Sequence, residues 1–367
     1  MDEGDLAVAG GSLRSTAELA LAVEDVTARA DAALRDLLVE RAARAGRHAV
    51  EARTLWEDLS GTLGGKLLRP RLVAAAYLGL GGRVSSVVVP VAAAHEALHV
   101  AMLAHDDVLD HDDRRRGRLN AGGAARQRAR TAGLPEHVAD ERALAAGLLA
   151  GDLALTTAFR LLARTPVTGD LREHLADLLA DGIETAVAGE LLDVVSESLA
   201  PRDVDALLVA ALKTAEYTCR SPLASGAALA GADLDVRRRL DDVGVALGLA
   251  FQLADDDLGV FGDPAATGKS TLSDLRRGKR TELLRLAYAG AGRTGRAVLD
   301  RYVGQPDLDE RDAELVRTVM VDSGALAAMR LLVERTADTA RAHAAQLPHP
   351  LGDYLVGVVD DLAGRGH

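Results

Sequence analysis

Apolar residues recur three and four positions apart along most of the chain, which is the repeat of an amphipathic helix. Glycine and proline fall in the gaps, and nothing resembles the strand–helix alternation of a parallel sheet. We therefore predict an all-α fold, a single large helical bundle. The predicted helical segments are 17–59, 67–80, 86–111, 138–164, 170–198, 203–219, 236–262, 281–303, 310–322 and 324–346.

Two stretches stand apart from this periodicity. Residues 1–15 begin with an acidic sequence that lacks the basic start of a signal peptide, and we expect them to be flexible. Residues 16–367 are then expected to form one helical domain. Residues 114–136 are rich in Arg, Gly and Ala and follow an acidic cluster, so we expect a flexible basic loop there.

Composition narrows the class of protein. Aromatic residues make up only 2% of the chain, so the core must be built from Ala, Leu and Val. The net charge of -12 repels phosphates and argues against nucleic-acid binding. The only cysteine, Cys219, excludes a disulfide framework and fits a cytoplasmic protein. Residues 86–104 are apolar enough for a membrane span, but Glu96 and two histidines inside them favour a buried core helix instead.

The first candidate for chemistry is the sequence HDDVLD at 105–110, which ends a strongly apolar helix. Asp106 and Asp110 are four residues apart and therefore share one helix face. Carboxylates on one face repel one another unless a cation lies among them, and oxygen ligands suit magnesium. The alternative interpretation is a solvated acidic helix end.

A second acidic cluster, with Asp255, Asp256 and Asp257, also ends an apolar helix. Two such clusters, far apart in sequence, are expected to face each other in a bundle and to share one metal–diphosphate site. Arginine forks and lysine ammonium groups match phosphate oxygens. The candidate cations are Lys66, Arg69, Arg115, Arg116, Lys213, Lys269 and Lys279.

Taken together, these motifs resemble those of the trans-isoprenyl diphosphate synthases, in the family's order, from about residue 60 to 285. The resemblance implies the isoprenoid synthase type of helical bundle and homodimers. The matching segments are GGKLLRP at 64–70, HDDVLD at 105–110, RRG at 115–117, LAGDLAL at 149–155, GELLDV at 189–194, KTAEYT at 213–218, FQLADDDLGVFGDPAATGK at 251–269 and DLRRGKRT at 274–281.

The resemblance implies a role for each matched residue. The magnesium ligands would be Asp106, Asp110 and Asp255, with roughly three ions per active site. Asp107, Asp256 and Lys213 would join them as catalytic residues. Isopentenyl diphosphate would be bound by Lys66, Arg69, His99 and Arg116. The allylic diphosphate would be held by Arg115, Lys213, Thr214, Gln252, Lys269 and Lys279.

The sequence departs from the family pattern in three places. Gly259 stands where the second acidic motif ends in Asp, so metal binding there rests on Asp255 and Asp256. The run Arg118–Ala121 replaces the usual proline and histidine, so that loop is expected to fold differently. Glu190 stands where the family has Gln.

The implied chemistry is ionisation of the allylic diphosphate, alkylation of isopentenyl diphosphate and loss of a proton. Magnesium and cationic side chains would stabilise the departing diphosphate, and no protein nucleophile is needed. Product length would be set one turn before Asp106, where Ala101 is small and Met102 is of moderate size. We therefore expect geranylgeranyl diphosphate, with a longer, medium-chain product as the runner-up and farnesyl diphosphate as a shorter alternative.

Two functions of other classes compete with this hypothesis. A type I terpene cyclase shares the fold and the first acidic motif, but it needs neither Lys66 nor Arg69 for a second diphosphate. A non-catalytic partner subunit usually loses its aspartates. This chain retains Asp at all the family positions except Gly259, so Gly259 is the one feature that favours such a subunit.

Overall fold

The structure, a computed structural model, describes residues 13–263 and 271–364. It confirms the all-α prediction, since helices account for nearly all of the regular structure. The chain divides into two compact units. The first unit is Met1–Leu179 with Ala224–Ala232, and the second is Ala180–Leu223 with Asp233–His367. The prediction of one domain over 16–367 stays a prediction, and most of the segment 1–15 lies outside the described residues.

The first unit contains six helices within its described residues and one small hairpin. Two further helices, Gly169–Ser196 (α7) and Ser221–Leu229 (α9), have residues in both units. The elements of the first unit are α1 (Thr16–Ala45), α2 (Val50–Gly61), α3 (Leu68–Gly79), α4 (Ser85–Leu109), β1 (Arg114–Arg115), β2 (Arg118–Leu119), α5 (Ala121–Thr131) and α6 (Glu136–Ala163).

The second unit begins within α7 and continues through a short 3₁₀ turn, Pro201–Asp203. A π-helical stretch, Ala211–Arg220, joins α8 to α9. The remaining helices are α8 (Ala206–Ala210), α10 (Leu234–Phe261), α11 (Ser273–Arg277), α12 (Glu282–Gly290), α13 (Arg293–Tyr302), α14 (Glu310–Asp322), α15 (Ala325–Ala344) and α16 (Leu351–Ala363).

The periodicity was wrong about several boundaries. The predicted segment 17–59 is two helices, because α1 ends at Ala45 with Gly46 as its C-cap and α2 starts after Ala49. The predicted loop 114–136 contains α5, which begins where the Asn120 side chain accepts a hydrogen bond from the Gly123 N–H. The segment 281–303 is also divided, and α16 follows the last predicted helix.

Glycines on α6 let this helix pack closely against α4 in the first unit. A side chain at Gly147 would overlap Val108, and one at Gly151 would overlap the His105 ring. His105 and Val108 belong to the first acidic motif. Gly151 is the glycine of LAGDLAL. Its lack of a side chain lets α6 pack directly against His105 near the end of α4.

In the second unit, glycines likewise allow close packing of helices around the π-helical stretch. A side chain at Gly248 of α10 would overlap the backbone of Ala215, and one at Gly189 of α7 would overlap the backbone of Lys213. Local π geometry re-aims side chains and occurs often at functional sites. Here it lies at Lys213 and Thr214, two of the predicted substrate-binding residues.

Within the described residues, α4 and α6 are long and apolar enough to cross a membrane. The most apolar part of α4 is 61% buried, as expected for a core helix, whereas that of α6 is only 39% buried. Length and apolarity are only weak evidence for a membrane span. The prediction that the chain has no membrane-spanning helix therefore stays a prediction. The difference between the helices shows instead that α6 exposes apolar surface.

Candidate active site

The first acidic cluster lies at the end of α4, and Arg115 of β1 holds two of its carboxylates. The Arg115 Nε donates to Asp107 Oδ1 at 2.8 Å, and its Nη2 donates to Asp106 Oδ2 at 3.2 Å. Asp107 is only 6% exposed, and this burial raises the pKa of its carboxyl while Arg115 opposes the rise. The cluster thus carries a bound guanidinium between its two neighbouring acids.

The segment 114–136, expected to be a flexible loop, begins with a tight hairpin. Arg115 pairs with Arg118 across the two strands, and the connecting residues Arg116 and Gly117 have φ of 52° and 73°. Positive φ at both central residues is the pattern of a type I′ turn, which suits glycine but costs a residue with a Cβ about 1–2 kcal/mol. Such strain is typical of functional positions, and Arg116 is the residue that carries it.

Arg116 joins the RRG motif to the GGKLLRP motif. Its Nη1 donates to the carbonyl oxygen of Gly64. Gly65 has φ of 111°, and a side chain at this residue would come within 2.6 Å of the Arg116 guanidinium. The second glycine of the motif is therefore needed both for its backbone and for the space that Arg116 fills.

A cavity of about 540 Å³ opens beside this junction. Charged and polar residues that line it include Glu96, His99, Asp107, Arg115 and Arg116. Small and apolar residues of α4 and α6 also line it, among them Leu103, Ala104, Val108, Ala143, Leu144, Gly147 and Ala150. Four predicted residues, His99, Asp107, Arg115 and Arg116, thus line one cavity, and a lining that combines charged and apolar side chains fits a ligand with a charged head and a hydrocarbon tail.

Glu96, which also lines the cavity, is buried with 2% of its surface exposed. Burial raises the pKa of its carboxyl to about 7, although the nearby charges of Arg69 and Arg116 oppose the shift. Its Oε2 has no hydrogen-bond partner among the described residues. Next to it, burial lowers the pKa of His95 to about 3, and this neutral ring shares a 2.9 Å hydrogen bond with Ser225.

The second acidic cluster, on α10, belongs to a chain of polar side chains in the second unit. The Thr214 hydroxyl donates to Gln252 Oε1 at 2.6 Å, and the Gln252 amide donates to Asp256 Oδ1 at 2.7 Å. Burial first, and then the charge of Asp274, raises the pKa of Asp256 to about 8. Three predicted residues, Thr214, Gln252 and Asp256, are therefore brought together.

Lys213 lies in the same unit but faces two other acids. Its Nζ is 2.8 Å from Glu190 on α7 and 2.8 Å from Asp193 on the same helix. Glu190 is the residue that replaces the family's Gln. This replacement places a carboxylate beside Lys213 where the family pattern has a neutral amide. In this state Lys213 is held between two carboxylates, and its role with an allylic diphosphate stays a prediction.

Asp257, the third acid of the run at 255–257, takes no part in the cluster. It is 2% exposed and accepts a hydrogen bond of 2.9 Å from Arg330 of α15. Neighbouring residues on a helix point in directions about 100° apart, so three consecutive acids cannot share one face. Asp257 is a buried acid that pairs with Arg330, whose side chain is 42% exposed.

The remaining predicted residues are not tested by these contacts. Arg69 is buried and Lys66 is exposed. Ala101 is fully buried, Met102 is partly exposed, and neither lines the 540 Å³ cavity, so their effect on product length stays a prediction. Lys269 lies outside the described residues.

The donor sets of both clusters fit magnesium. Within 13–263 and 271–364, no three His, Cys, Asp or Glu side chains are grouped so as to enclose a metal alone. Magnesium does not need such a cage, because one or two carboxylates suffice when water and substrate phosphates fill its other positions. Asp106 and Asp110, one turn apart on α4, and Asp255 on α10 offer only oxygen ligands.

Sequence reasoning missed three polar residues at these clusters. Glu96 was assigned only to a polar stripe of a buried helix. Asn120 caps α5 and also donates from Nδ2 to the Asp112 carbonyl oxygen at 2.6 Å. Asp274 lies with its Oδ1 3.8 Å from Lys279 Nζ. The signal for Asp274 was present, since it opens the DLRRGKRT segment that was quoted for its lysine.

Comparison with known proteins gives one consistent result. A family model described as polyprenyl synthetase matches residues 57–320. The chain is 34% identical over 310 residues to a geranylfarnesyl diphosphate synthase from Aeropyrum pernix, which covers 80% of this chain and 90% of the relative. It is 31% identical over 258 residues to a geranylgeranyl diphosphate synthase from Saccharolobus solfataricus, covering 69% of this chain and 71% of that protein.

The fold matches solved structures in the same way. One is a geranylgeranyl pyrophosphate synthase from Corynebacterium glutamicum, complexed with isoprenyl diphosphate and magnesium. It superposes with a TM-score of 0.84 at 28% identity, over 92% of this chain and 99% of that one. These comparisons confirm the resemblance that the motifs suggested.

Proposed function

The chain belongs to the polyprenyl synthetase family, whose members are trans-prenyltransferases, and from this premise we propose that it makes geranylgeranyl diphosphate. The substrates would be isopentenyl diphosphate and an allylic diphosphate, joined head to tail. The observation that carries the proposal is the junction of Arg116 with Gly64 and Gly65, at a cavity that Gly64, Arg116 and His99 all line.

In this proposal, residues of the first unit bind isopentenyl diphosphate. Arg116 is fixed over the glycines of GGKLLRP, and Arg69 and Glu96 lie close enough for their charges to interact. A guanidinium held in this way keeps its planar fork aimed at phosphate oxygens, which lowers the entropy lost on binding. Lys66 and His99 would add donors from the loop before α3 and from α4.

Residues of the second unit would hold the allylic diphosphate. Thr214 and Gln252 form a fixed polar chain to Asp256, and Lys213 and Lys279 supply positive charge. When bound, magnesium would neutralise the charge that develops on the departing diphosphate. Asp106, Asp110 and Asp255 are the residues proposed to hold it.

The reaction balances without a protein nucleophile. The allylic carbon–oxygen bond breaks, and diphosphate leaves with the electron pair. The double bond of isopentenyl diphosphate attacks the resulting cation, and a proton is then lost, in our proposal to the departed diphosphate. Water must be excluded from the cation, and apolar residues that line the cavity, such as Leu103, Val108 and Ala150, suit this need.

Product length is the finest part of the proposal. Ala101 is buried and small, and Met102 lies one turn before Asp106, so we propose that Met102 limits the chain at twenty carbons. The relative named as a geranylfarnesyl diphosphate synthase supports the runner-up, a longer product. Met102→Ala is expected to lengthen the product by at least one isoprene unit while leaving the consumption of substrate intact.

The first experiment is a product analysis by mass. Purified protein is incubated with magnesium, isopentenyl diphosphate and a five-, ten- or fifteen-carbon allylic primer. A single twenty-carbon product supports the proposal, and longer products keep the reaction but refute the length. A hydrocarbon formed without use of isopentenyl diphosphate indicates a cyclase, and no turnover indicates a non-catalytic subunit.

We also propose a homodimer. Apolar side chains on the outer face of α6 are at least half exposed, with Leu144 at 57%, Leu148 at 50% and Leu149 at 50%. Large apolar side chains exposed along one helix are typical of a protein interface, and a second copy of the chain is the partner that the family suggests. Leu148→Glu is expected to convert dimer to monomer in light scattering. A cytoplasmic location remains part of the proposal, supported by the single buried cysteine.

A further inference from the structure

Lys279, which is predicted to bind the allylic diphosphate, lies in a two-residue link between α11 and α12 of the second unit. Gly278 is the C-cap of α11, with φ of 66°. Thr281 is the N-cap of α12. The link between the two caps is therefore Lys279 followed by Arg280. Whatever holds this link also determines where the flexible side chain of Lys279 begins.

The Arg280 side chain reaches back along the chain and binds the peptide group that precedes Lys279. Its Nη1 donates to the Gly278 carbonyl oxygen at 2.6 Å. The N–H of the same peptide group, that of Lys279, donates to the Asp274 carbonyl oxygen at 3.1 Å. A Cβ at Gly278 would lie 3.2 Å from the Arg280 Nη1, so glycine leaves room for the contact. The peptide group before Lys279 is thus held on both sides.

The other two nitrogens of the Arg280 guanidinium bind the segment just after α7. Nε donates to the Leu199 carbonyl oxygen at 2.9 Å, and Nη2 donates to the Glu197 carbonyl oxygen at 3.0 Å. Arg277 adds a hydrogen bond from its Nη2 to Glu197 Oε1 at 3.1 Å. Carbonyl groups at a helix end are no longer paired within the helix and accept such donors. Arg280 therefore joins the link at Lys279 to the end of α7.

The helix α7 also contacts the second lysine that is predicted to bind the allylic diphosphate. Glu190 and Asp193, close to the end of α7, each lie 2.8 Å from the Nζ of Lys213. One helix is thus connected to both lysines, to Lys213 through two acids and to Lys279 through Arg280. Fixed attachments of this kind lower the cost of bringing two ammonium groups to one diphosphate.

The simpler interpretation is that Arg280 only stabilises the end of α7, where a cation is favourable. Arg276 makes a contact of that simple kind, since its Nε donates to the Leu308 carbonyl oxygen at 2.8 Å and ties α11 to another segment. The simpler interpretation accounts for the two bonds from Arg280 to the end of α7. It does not account for the third bond, to the carbonyl group directly before Lys279.

We propose that Arg280 is a positioning residue for the allylic diphosphate. It holds the backbone at Lys279 against the end of α7, so that the Lys279 ammonium reaches the diphosphate together with that of Lys213. Arg280 itself does not touch the substrate. The inference rests on the proposed function, because it concerns the allylic diphosphate of that same site.

The test is steady-state kinetics in which a ten-carbon allylic diphosphate and isopentenyl diphosphate are varied separately. R280A is expected to raise the KM for the allylic diphosphate about tenfold and to lower kcat by about threefold or less. The KM for isopentenyl diphosphate should change by less than about twofold, because that substrate is proposed to bind residues of the first unit.

R276A is the matched control, since it removes one arginine-to-carbonyl hydrogen bond from the same short helix. It is expected to lower the midpoint of thermal unfolding and to leave both KM values unchanged. A rise in the KM for the allylic diphosphate as large as that of R280A would overturn the inference, because any loosening of α11 would then have the same effect.

A double-mutant cycle tests whether Arg280 acts through Lys279. If it does, adding R280A to K279A raises the KM for the allylic diphosphate by no more than about twofold, because the group that Arg280 positions is already absent. A tenfold rise in both backgrounds would show that Arg280 acts independently of Lys279 and would overturn the inference.

The remaining outcomes also separate this inference from the proposed function. An unchanged KM for the allylic diphosphate in R280A, or an equal rise in the KM of both substrates, would overturn the inference and leave the synthase proposal intact. A wild-type protein without turnover would overturn the proposed function, and the inference with it. If R280A does not fold, R280K is measured instead. Lysine lacks the planar fork, so an unchanged KM in R280K counts against the inference.

Discussion

The two acidic clusters contain the same residue type at the end of the same kind of helix, but they manage their charge differently. In the first cluster, Arg115 donates to both Asp106 and Asp107. In the second, Asp256 accepts from the amide of Gln252, and its pKa is raised to about 8 by burial and by Asp274. In the first cluster a guanidinium offsets part of the negative charge, whereas in the second cluster one acid favours its protonated form.

In both clusters, adjacent carboxylates are accompanied by a cation or favour a proton even before any ligand binds. A fixed arginine also orients the acids, whereas an amide orients one acid without neutralising it. The first cluster is therefore oriented by one charged side chain that contacts two acids. The second depends more on residues from other elements, namely Thr214 on the π-helical stretch and Asp274 on α11.

The largest expected effect comes from removing one acid of each cluster. Asp106→Asn and Asp255→Asn are each expected to lower kcat by about 10²–10³-fold, because each removes charge that would hold magnesium on the diphosphate. Steady-state kinetics at several magnesium concentrations would measure both. Asp113→Asn, which loses only its pair with Arg126, is the matched control. If kcat fell in only one of the two variants, the two clusters would not both hold magnesium.

Arg115→Ala tests the guanidinium of the first cluster. It leaves Asp107 buried without its partner, so the free energy of unfolding is expected to fall by about 2–3 kcal/mol and kcat by about tenfold or more. Urea unfolding and kinetics would measure the two effects. Arg115→Lys should recover charge but not the fork, and therefore only part of the stability. Wild-type stability in Arg115→Ala would show that the pair contributes nothing.

Gly65→Ala tests the junction beneath Arg116. The backbone at φ of 111° and the overlap with the guanidinium should together raise the KM for isopentenyl diphosphate about tenfold, with a smaller change in kcat. Gly81→Ala is the control, because it has φ of 96° but nothing within 4 Å of its Cβ. Equal effects of the two variants on KM would exclude a role for the Arg116 contact.

The smallest expected effect is the pH dependence from Glu96. Its pKa is raised to about 7 in the folded protein by burial, with Arg69, Arg116 and Arg35 opposing and Asp31 adding to the rise. A carboxyl with a raised pKa binds protons more readily when folded. Its contribution to the free energy of unfolding is therefore full below about pH 4.5 and is lost as the pH rises through about 7.

Glu96→Gln should remove that dependence. Between about pH 5 and about pH 8, the variant is expected to lose less stability than wild type, by on the order of 1–2 kcal/mol. Urea unfolding at the two pH values would measure the difference. The control is Glu57→Gln, an exposed glutamate of α2. Parallel losses in wild type and Glu96→Gln would contradict the assignment.

Local patterns were sufficient to predict the fold class and most helices. The repeat of apolar residues depends only on helix geometry, so α3, α4, α6, α10 and α14 follow from it directly. The helix α5 was missed because its Ala, Gly and Arg residues lack an apolar stripe, and its start depends on Asn120. The acids at the helix ends and the order of the motifs could likewise be predicted from the sequence.

The helical class, the family and the residue types gathered at each motif could all be predicted from the order of residues along the chain. Which partner each side chain contacts became known from the packing of the helices. Asp107 turns to Arg115, Asp257 to Arg330, and Asp274 into the space beside Gly259. The physical reason is that helix periodicity is set by near neighbours along the chain. The direction and charge state of a buried acid, by contrast, depend on groups that can lie tens of residues away.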